Sequence, residues 1–393
     1  MSKIDILLMS DNSLDTIGGS EESTKIIIKE LKNNFKIGVI QPGYIREPED
    51  SVKYFTITSD TRLKIIFKNP IKFLNYIFTL KKIIEKQNPR IIHTQAQVNF
   101  FIVALLYKLK LIPKSIKFIH TERGLYTKYN LFIIRLFLFF MKELDVLVTT
   151  TKFNLKYWKK ALTEKNIQVD FKVIENTPGK LFETFDKKLA KKRNDNLTIG
   201  FAGRYTSWKN WPLAVEISEK LNEMLGNNLK VKMAVGCLDD KSELETKEMF
   251  NKLDEIFGRR FEGKINLTLE EMNNFYYDLD VFILTSDYNT ESFGRTLVEA
   301  MSRNTAVLTT NSGGSVEVVG NKNNVCNTVN QFIDRIMEFH NDKNLLELEK
   351  NRNIQRVNEK FSVKNNIEKH MKLYNSLIKC KNNMDLRQYF GHK

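Results

Sequence analysis

Two basic side chains follow a predicted strand at a spacing that suits the binding of a diphosphate. Gly203 and Arg204 end the apolar run LTIGFAGR, and Lys209 comes five residues later, before a helix whose first turn holds Pro212. Ligands of α/β proteins bind in the loops after the strands, where two cations can neutralise a diphosphate. The alternative is a pair of solvated surface charges, but the strand end and the adjacent glycine favour the diphosphate site.

Two glutamates stand eight residues apart where another strand gives way to a helix. Glu291 lies in the loop after the run VFILTS, and Glu299 lies about two turns into the helix that follows Phe293 and Gly294. Because the segment LVEAM is otherwise apolar, Glu299 is expected to be largely buried, where a carboxylate needs a partner. The alternative is one solvated helix glutamate among many.

A glycine pair precedes the first predicted helix. Gly18 and Gly19 would let backbone amides approach an anion at the N-terminus of that helix. A plain turn into the helix explains the pair equally well. The spacing fits neither the GxGxxG dinucleotide fingerprint nor a P-loop, so NAD and ATP are not favoured.

Alternating strands and helices must position these residues. Apolar runs of strand length alternate with amphipathic stretches, which is typical of parallel βα units, and 393 residues are too many for one ordinary domain. The predicted strands are Ile4–Met9, Ile37–Gln41, Tyr54–Thr58, Ile91–Thr94, Ile116–His120, Val146–Thr150, Leu197–Ala202, Val231–Val235, Ile265–Leu267, Val281–Thr285 and Ala306–Thr309. We predict an α/β protein with domains at 1–178 and 197–362, a linker at 179–196, and a C-terminal helix and tail at 363–393.

The net charge of +15 is confined to the N-terminal half. Residues 1–200 carry 35 basic and 20 acidic side chains, whereas residues 201–393 carry 27 of each; residues 51–150 alone hold 17 basic and 5 acidic residues. We therefore expect the N-terminal domain to meet an anionic partner. No helix-turn-helix, zinc finger or RNA-binding signature supports nucleic acid as that partner.

Apolar helices in this basic region raise the possibility of membrane contact. The stretch 62–90 would place on roughly one helical side the residues Phe73, Leu74, Ile77, Phe78, Leu80 and Ile84, with lysines around them. A helix packed on the sheet is the default, but apolar helices fringed by lysines also suit the headgroups of an anionic membrane. The longest apolar run, 131–141, is too short to span one.

The N-terminus and the cysteines indicate the compartment. The first apolar stretch is short and contains Asp5, unlike a signal peptide. The three cysteines are far apart and form no CxxC pair, which favours a reducing setting. We expect a cytoplasmic protein, with contact at the inner face of the cell membrane as a further option.

Taken together, the motifs resemble those of the retaining glycosyltransferases of family 4. The family's paired-glutamate element is met by Glu291, Phe293, Gly294 and Glu299, its GRxxxxK element by Gly203, Arg204 and Lys209, its N-terminal glycine loop by Gly18 and Gly19, and its late GGxxE by Gly313, Gly314 and Glu317. The four elements occur in family order. The resemblance implies the GT-B fold, with two Rossmann-like domains facing across a cleft and a C-terminal helix returning toward the N-terminal domain.

The resemblance also implies roles for individual residues. Arg204 and Lys209 would neutralise the donor diphosphate, Glu291 would accept hydrogen bonds from the donor sugar, and Glu299 would hold the ribose hydroxyls. The remaining donor-binding positions would be Gly18, Gly19, Gly263, Ile265, Phe293, Gly294, Arg295 and Leu297. Gly263 to Ile265 would lie near the nucleobase.

In the N-terminal domain the segment HTERG follows a strand. The family often has a histidine there that reaches the donor sugar, so His120 is a candidate catalytic residue, with a core or surface histidine as the alternative. Many relatives have a histidine where this chain has Arg123, which would suit an acidic donor or acceptor. His93 fits a position lining the cleft, although a structural role is about as well supported.

No cofactor or metal is expected. Asp278 and Asp280 spell DxD, but they lead straight into a strand at a place where the family carries a structural aspartate. With Arg204 and Lys209 available for the diphosphate, the resemblance implies metal-independent transfer.

The sequence thus predicts retaining transfer from a nucleotide sugar, a UDP-hexose or UDP-N-acetylhexosamine, to an anionic or membrane-linked acceptor. Such an acceptor would be a lipid-linked glycan or a wall or capsule polymer precursor. Two alternatives are a GT-B enzyme of the UDP-sugar 2-epimerase type and a non-catalytic GT-B subunit that binds a partner.

Overall fold

Two parallel sheets organise the computed structural model, which describes residues 3–16, 18–189 and 196–390, without the side chains of Phe67 and of residues 380–390. The chain divides into unit 1, Met1–Glu175 with Lys364–Lys393, and unit 2, Asn176–Val363. The predicted linker at 179–196 therefore begins inside unit 2, and its residues 190–195 lie outside the described residues.

Unit 1 contains seven strands among the described residues, all parallel, in the order β3-β2-β1-β4-β5-β6-β7. The strands are β1 Ile6–Met9, β2 Ile37–Gln41, β3 Lys53–Thr56, β4 Ile91–Thr94, β5 Lys117–Glu122, β6 Val146–Thr149 and β7 Asp170–Val173. The helices between them are α1 Gly19–Leu31, α2 Pro70–Gln87, α3 Gln97–Lys108, α4 Leu131–Met141 and α5 Lys152–Glu164. The central strands are short, apolar and buried on both faces, as parallel strands covered by helices must be.

Unit 2 contains a parallel sheet whose described strands follow the order β10-β9-β8-β11-β12. These strands are β8 Leu197–Arg204, β9 Leu229–Gly236, β10 Phe261–Ile265, β11 Val281–Leu284 and β12 Ala306–Thr309. The helices are α6 Trp211–Leu225, α7 Asp240–Phe257, α8 Leu269–Tyr277, α9 Arg295–Met301, α10 Gly314–Val319, α11 Val329–Asn341 and α12 Lys343–Arg356. Local signals set several boundaries; α7 and α8, for example, both begin with a capping box.

The C-terminal helix α13, Val363–Phe390, belongs to unit 1 from Lys364 onward, and its apolar side chains between Ile367 and Ile378 pack there. Leu373 and Tyr374 are buried in an apolar cluster with residues of β1, β2 and α1, and the Tyr374 ring meets Phe35 edge to face at 5.7 Å between centroids. This confirms the prediction that the last helix returns to the N-terminal domain.

One strand prediction was wrong, and one strand was missed. The strand placed at Ile265–Leu267 is instead Phe261–Ile265, because Asn266 adopts the left-handed conformation at φ 55° and Thr268 already caps α8. The edge strand β7 was missed, since its four residues DFKV carry too weak an apolar pattern.

The linker prediction also needs correction, because its first part is built into unit 2. Phe182 is buried, and the Arg303 guanidinium donates to the carbonyls of Leu181, Phe182 and Thr184. That guanidinium lies between the rings of Phe182 and Tyr277, 4.8 and 4.9 Å from their centroids. Segment 181–184 is thus fixed by one buried arginine, two residues after the end of α9, rather than left as a free connection.

The prediction that the apolar residues of α2 lie on one side of the helix is wrong. Tyr76, Leu80 and Ile84 face the core, whereas Leu74 and Phe78 are 53% and 61% exposed. The apolar residues of α2 therefore divide between two faces of the helix. Within the described part of the chain, no helix combines the length and apolar character needed to cross a membrane.

Candidate functional site

Lys209 and Glu291 form an ion pair in unit 2, 82 positions apart in sequence. Lys209 Nζ lies 2.5 Å from Glu291 Oε1, and the two side chains are 16% and 14% exposed. Ser286 Oγ donates to the same carboxylate oxygen at 2.8 Å. The carboxylate is therefore held in one orientation by a charge and a hydroxyl, which prepares it to bind a polar ligand.

The loops after β8 and β11 are joined by hydrogen bonds. Thr285 Oγ1 donates to the carbonyl of Lys209 at 2.8 Å, and the amide of Asp287 donates to the carbonyl of Trp208 at 2.8 Å. Because β8 and β11 are neighbours in the sheet, their carboxyl ends meet at one edge. The backbone of Lys209 is thereby positioned by the loop that carries Glu291.

Gly203 lets the lysine reach this position. A Cβ atom at Gly203 would lie 3.2 Å from Lys209 Cε and 3.3 Å from Lys209 Cδ, tighter than most real contacts. The aliphatic part of Lys209 thus lies over Gly203, which gives the spacing in GRxxxxK a physical reason. Arg204 is half-buried at the end of β8, and its carbonyl accepts from Trp211 Nε1 at 3.2 Å.

The late glycine pair contacts the Glu291 loop through backbone atoms. The Glu291 amide donates to the Ser312 carbonyl, and the Gly314 amide donates to the Glu291 carbonyl, both at 2.8 Å. Gly313 has φ 111°, which glycine alone adopts at little cost. Glu317 lies in the first turn of α10, where its carbonyl accepts from Arg356 at 2.7 Å.

Glu299 is buried on α9 with partners for both carboxylate oxygens, as the apolar helix predicted. Arg295 Nε donates to one oxygen and the Tyr276 hydroxyl to the other, each at 2.9 Å. Burial and the nearby carboxylate raise the pKa of Tyr276 well above its usual value, so this hydroxyl stays a donor. Arg295 also donates to the Pro178 carbonyl at 2.9 Å.

Other predicted donor residues serve the core of unit 2. Phe293 and Leu297 are buried side chains of one apolar cluster, and Phe293 meets Phe361 edge to face at 5.5 Å. Gly294 has φ 85° and caps α9. Gly263 lies on β10 against the Phe250 ring, where a Cβ would clash at 2.5 Å, and Ile265 ends that strand half-buried.

In unit 1 the glycine pair begins α1. Gly18 is the N-cap residue in extended conformation, and Gly19 is the first helical residue. The first turn also contains Glu21 and Glu22, and the buried Glu21 accepts from Asn12 Nδ2 at 2.7 Å. The partial positive charge of this helix end therefore already faces two carboxylates of the chain.

His120 is fully buried on β5. Its Nδ1 lies 2.9 Å from Thr94 Oγ1, its Nε2 lies 3.2 Å from Glu122 Oε2, and its ring stacks on Phe100 at 4.4 Å. Both ring nitrogens thus have partners inside unit 1. This surrounding matches the core-histidine alternative rather than direct contact with a sugar.

His93 is also fully buried, on β4. It contacts the hydroxyls of Tyr374 and Thr121, each at 2.7 Å. Burial, together with His370, His120 and Arg123 nearby, lowers its pKa well below 6.5, so the ring is neutral. His93 therefore joins β4, β5 and α13, which fits its structural alternative.

Arg123 follows β5 and is half-buried. Its Nη2 donates to Gln95 Oε1 at 2.7 Å. The next residue, Gly124, leaves room for Tyr129, whose hydroxyl would overlap a Cβ there. Arg123 is thus a predicted residue of unit 1 that does place a cation at the carboxyl edge of the sheet.

Asp11, at the end of β1, supports α3 rather than a ligand. Its carboxylate accepts from the amides of Val98 at 2.6 Å and Asn99 at 2.9 Å. Burial outweighs these hydrogen bonds and raises its pKa to about 6.

The DxD aspartates have structural partners. Asp278 lies 2.5 Å from Lys232 Nζ, and Asp280 lies 3.0 Å from Lys350 Nζ while accepting from the Thr198 amide at 2.9 Å. Across the described ranges, no three His, Cys, Asp or Glu side chains come together as a metal site would require.

Several contributing residues escaped the sequence reasoning. Ser286 and Tyr276 bind the two glutamates, and Gln95 and Tyr374 contact Arg123 and His93. Ser286 and Gln95 had a local signal, since both are polar residues just after a strand, where polar residues often line a site. The others depend on contacts over long sequence separations.

Two family profiles match the chain, one for each sheet. The family described as Glycosyl transferases group 1 matches residues 182–360, and Glycosyltransferase Family 4 matches residues 17–170. The capsular polysaccharide biosynthesis glycosyltransferase CapM of Staphylococcus aureus is 26% identical over 216 residues, which are 54% of this chain and 53% of that protein. The chain thus spans about half the length of this curated relative.

Solved structures resemble the chain over almost its whole length. Sucrose-phosphate synthase from Thermosynechococcus elongatus has a TM-score of 0.78 at 14% identity and covers 96% of this chain and 100% of that one. Anabaena HepE, solved with UDP and glucose, has a TM-score of 0.71 at 14% identity, and the match covers 95% of this chain and 100% of HepE. At these identities the likeness establishes the fold alone.

Proposed function

This chain belongs to the family 4 glycosyltransferases and has the GT-B fold, and we propose that it transfers a sugar from a nucleotide sugar to a glycan or polysaccharide acceptor. The ion pair of Lys209 and Glu291 carries the proposal. A cation and a carboxylate are held together at the carboxyl edge of the unit 2 sheet, where α/β enzymes bind nucleotides. In this proposal Lys209 contacts the phosphate and Glu291 contacts the sugar.

The leaving group is stabilised by charge in this scheme. Lys209 and Arg204 neutralise the diphosphate as the bond from the anomeric carbon to the phosphate oxygen breaks. Glu291 accepts hydrogen bonds from sugar hydroxyls, and Glu299 accepts them from the ribose. Tyr276 and Arg295 keep the Glu299 carboxylate in place.

The proposed chemistry is front-face transfer with retention. The acceptor hydroxyl attacks from the side that the phosphate leaves, and the departing phosphate oxygen takes the acceptor's proton. We propose that the two cations replace a metal ion for this purpose. UDP-hexoses are the preferred donors, supported by the structural likeness to HepE, whose structure contained UDP and glucose.

The acceptor is proposed to be anionic or membrane-borne, and to meet unit 1 in the cytoplasm. Exposed apolar residues on α4, Leu131 and Phe132, lie on the helix that also exposes Arg135, and Lys108 Nζ lies 4.0 Å over the Phe139 ring. Apolar side chains beside cations suit the headgroup layer of an anionic membrane. The capsular relative supports a cell-envelope polymer as the product.

A donor screen tests the activity. Purified protein is incubated with UDP-glucose, UDP-N-acetylglucosamine, UDP-glucuronic acid and GDP-mannose, with and without lipid or polymer extract, and nucleotide release is measured. Release that depends on the extract supports transfer. Turnover of a UDP-sugar without extract, with free sugar as product, would instead support the 2-epimerase alternative; no release with any donor would support a non-catalytic subunit.

Liposome flotation tests the membrane contact. The protein should float with vesicles containing anionic lipid and stay behind with neutral vesicles. Phe132→Glu should reduce flotation, whereas Leu348→Glu, which alters a 64% exposed leucine of unit 2, should not. Equal, negligible flotation with both vesicle types would contradict the proposal.

A further inference from the structure

A line of side-chain contacts runs inside unit 1 from α13 to Arg123. Tyr374 Oη lies 2.7 Å from His93 Nδ1, and Thr121 Oγ1 lies 2.7 Å from His93 Nε2. Both ring nitrogens therefore have a hydroxyl partner. Tyr374 and Thr121 fix the orientation of this ring between α13 and β5.

Gln95 continues the line from the imidazole to the guanidinium. Its Nε2 lies 3.3 Å from His93 Nδ1 and 3.1 Å from His93 Nε2. A nitrogen at such similar distances from both ring nitrogens lies over the ring face, since a position in the plane would overlap the carbon between them. The amide thus directs an N–H toward the π face, and its Oε1 accepts from Arg123 at 2.7 Å.

The contacts require a neutral imidazole. A protonated His93 would repel both the Gln95 amide hydrogens and the nearby Arg123 cation. Burial and the neighbouring His370, His120 and Arg123 oppose protonation of His93, which keeps the ring in the required state. The Gln95 amide is thus held with its carbonyl toward Arg123.

The line begins at a well-packed residue. Tyr374 is fully buried, meets Phe35 edge to face, and lies in the apolar cluster of β1, β2 and α1. An arginine side chain has many rotamers, and holding one of them costs conformational entropy. A chain of buried partners restricts those rotamers before substrate arrives.

We propose that Tyr374 is a positioning residue for Arg123, acting through the His93 ring and the Gln95 amide. The C-terminal helix is then part of the substrate-binding apparatus of unit 1, although Tyr374 lies 281 positions from His93 in sequence. The consequence for turnover rests on the proposed function; the positioning itself does not.

The test uses two matched tyrosine variants of the full chain. Tyr374→Phe removes only the hydroxyl of the proposed line. Tyr107→Phe is the control, because Tyr107 is another buried tyrosine of unit 1 whose hydroxyl donates to a carbonyl, that of Ile116 at 2.9 Å. Gln95→Leu interrupts the line at a second point and replaces Tyr374→Phe if that variant fails to fold.

The first measurement is ¹⁵N NMR of imidazole and arginine Nε–H groups. The chain has five histidines, so His93 can be assigned from its loss in His93→Gln, and Arg123 from Arg123→Lys. Tyr374→Phe should shift the signals of both His93 and Arg123, Gln95→Leu should shift that of Arg123, and Tyr107→Phe should shift neither. An Arg123 signal that stays unmoved in Tyr374→Phe would overturn the proposal; if that variant does not fold, an unmoved Arg123 signal in Gln95→Leu would overturn it.

The second measurement is release of UDP from UDP-glucose. We expect kcat/KM to fall about tenfold in Arg123→Gln and about threefold in Tyr374→Phe, and the double variant to match Arg123→Gln alone, because residues that act through one another are not additive. A threefold loss that persists in the Arg123→Gln background would make Tyr374 merely structural. If the wild type releases no UDP, the proposed function fails for this donor, while the NMR result still decides the positioning.

Discussion

The two sheets carry their polar groups in different ways. At the carboxyl edge of the unit 2 sheet, carboxylates are paired with cations, Glu291 with Lys209 and Glu299 with Arg295. Inside unit 1, His93 and His370 are buried and kept neutral, and Asp11 is buried among backbone amides with a raised pKa.

This difference follows from what each set must do. Charge pairs with some exposure can exchange their partners for a charged ligand, so they suit the binding of a diphosphate and a sugar. Buried neutral groups cannot bind a charged ligand cheaply, but they join strands and helices into one body. Unit 2 therefore pairs these carboxylates with cations, whereas unit 1 holds buried neutral histidines near Arg123.

Removing a charge from the unit 2 site should have the largest effect. Lys209→Ala should lower kcat/KM for nucleotide release about 100- to 1,000-fold, because the diphosphate and Glu291 both lose their cation. Steady-state kinetics with the best donor measures this. Lys232→Ala, which breaks an ion pair with Asp278 elsewhere in unit 2, is the control and should stay within about twofold. A near-normal rate in Lys209→Ala would remove the proposed distinction between the units.

Removing a buried histidine from unit 1 should change the pH dependence of stability. Burial lowers the pKa of His370 to about 4, against about 6.5 in an unfolded chain. The unfolded state then binds the proton more readily, so the stability from this group is present above pH 6.5 and lost as pH falls toward 4. Relative to His370→Leu, the wild type should lose about 3 kcal/mol over this range.

Pulse proteolysis in urea at pH 7 and pH 4.5, with unit 1 fragments identified by mass spectrometry, measures this difference. The unfolding free energy of the wild type minus that of His370→Leu should decrease as the pH falls. A constant offset at both pH values would show that His370 titrates normally and that unit 1 tolerates a buried cation.

Removing Asp11 should change the pH dependence of stability in the opposite direction to removing His370. Its pKa is raised from 3.8 to about 6, so the folded state holds the proton more tightly and stability from this group is lost as pH rises from 4 to 6. Relative to Asp11→Asn, the wild type should lose about 3 kcal/mol of unfolding free energy over that range. The same proteolysis assay, at pH 4 and pH 7, measures this loss. The difference in stability at a single pH is not used, because asparagine also alters one hydrogen bond; the prediction concerns how that difference changes with pH.

The smallest effect is expected at a neutral partner of a unit 2 carboxylate. Tyr276→Phe removes the hydroxyl that donates to Glu299 and should raise the KM for donor about tenfold, since a hydrogen bond to a charged group contributes about 1.5 kcal/mol. The value of kcat should change little. A large fall in kcat with KM unchanged would place Glu299 at the reacting bond instead of the ribose.

Local signals explain why much of unit 2 was predictable. The glycine before Arg204, the five-residue step to Lys209 and the glycines near Glu291 all act within short loops, so their spacing in sequence reflects their geometry. Short apolar runs between polar turns were predictable in both units: the bounds of Ile37–Gln41 in unit 1 and Ala306–Thr309 in unit 2 were predicted as the structure has them.

Long-range contacts explain the failures. The two faces of α2 could not be separated by period alone, since apolar residues lie on both. His120 was a candidate for sugar contact by its place after a strand, but the structure buries it between Thr94, Glu122 and Phe100.

The sequence by itself determined the alternation of strands and helices, the two parallel sheets, the charge of the N-terminal half and the family motifs, since each is written in residues close along the chain. Only the tertiary structure decided which charges meet and which histidines are neutral. Lys209 meets Glu291 across 82 positions, and Tyr374 meets His93 across 281. Such pairs arise because parallel strands and a returning helix bring residues that are distant in sequence close together in space, and burial in unit 1 keeps His93 neutral.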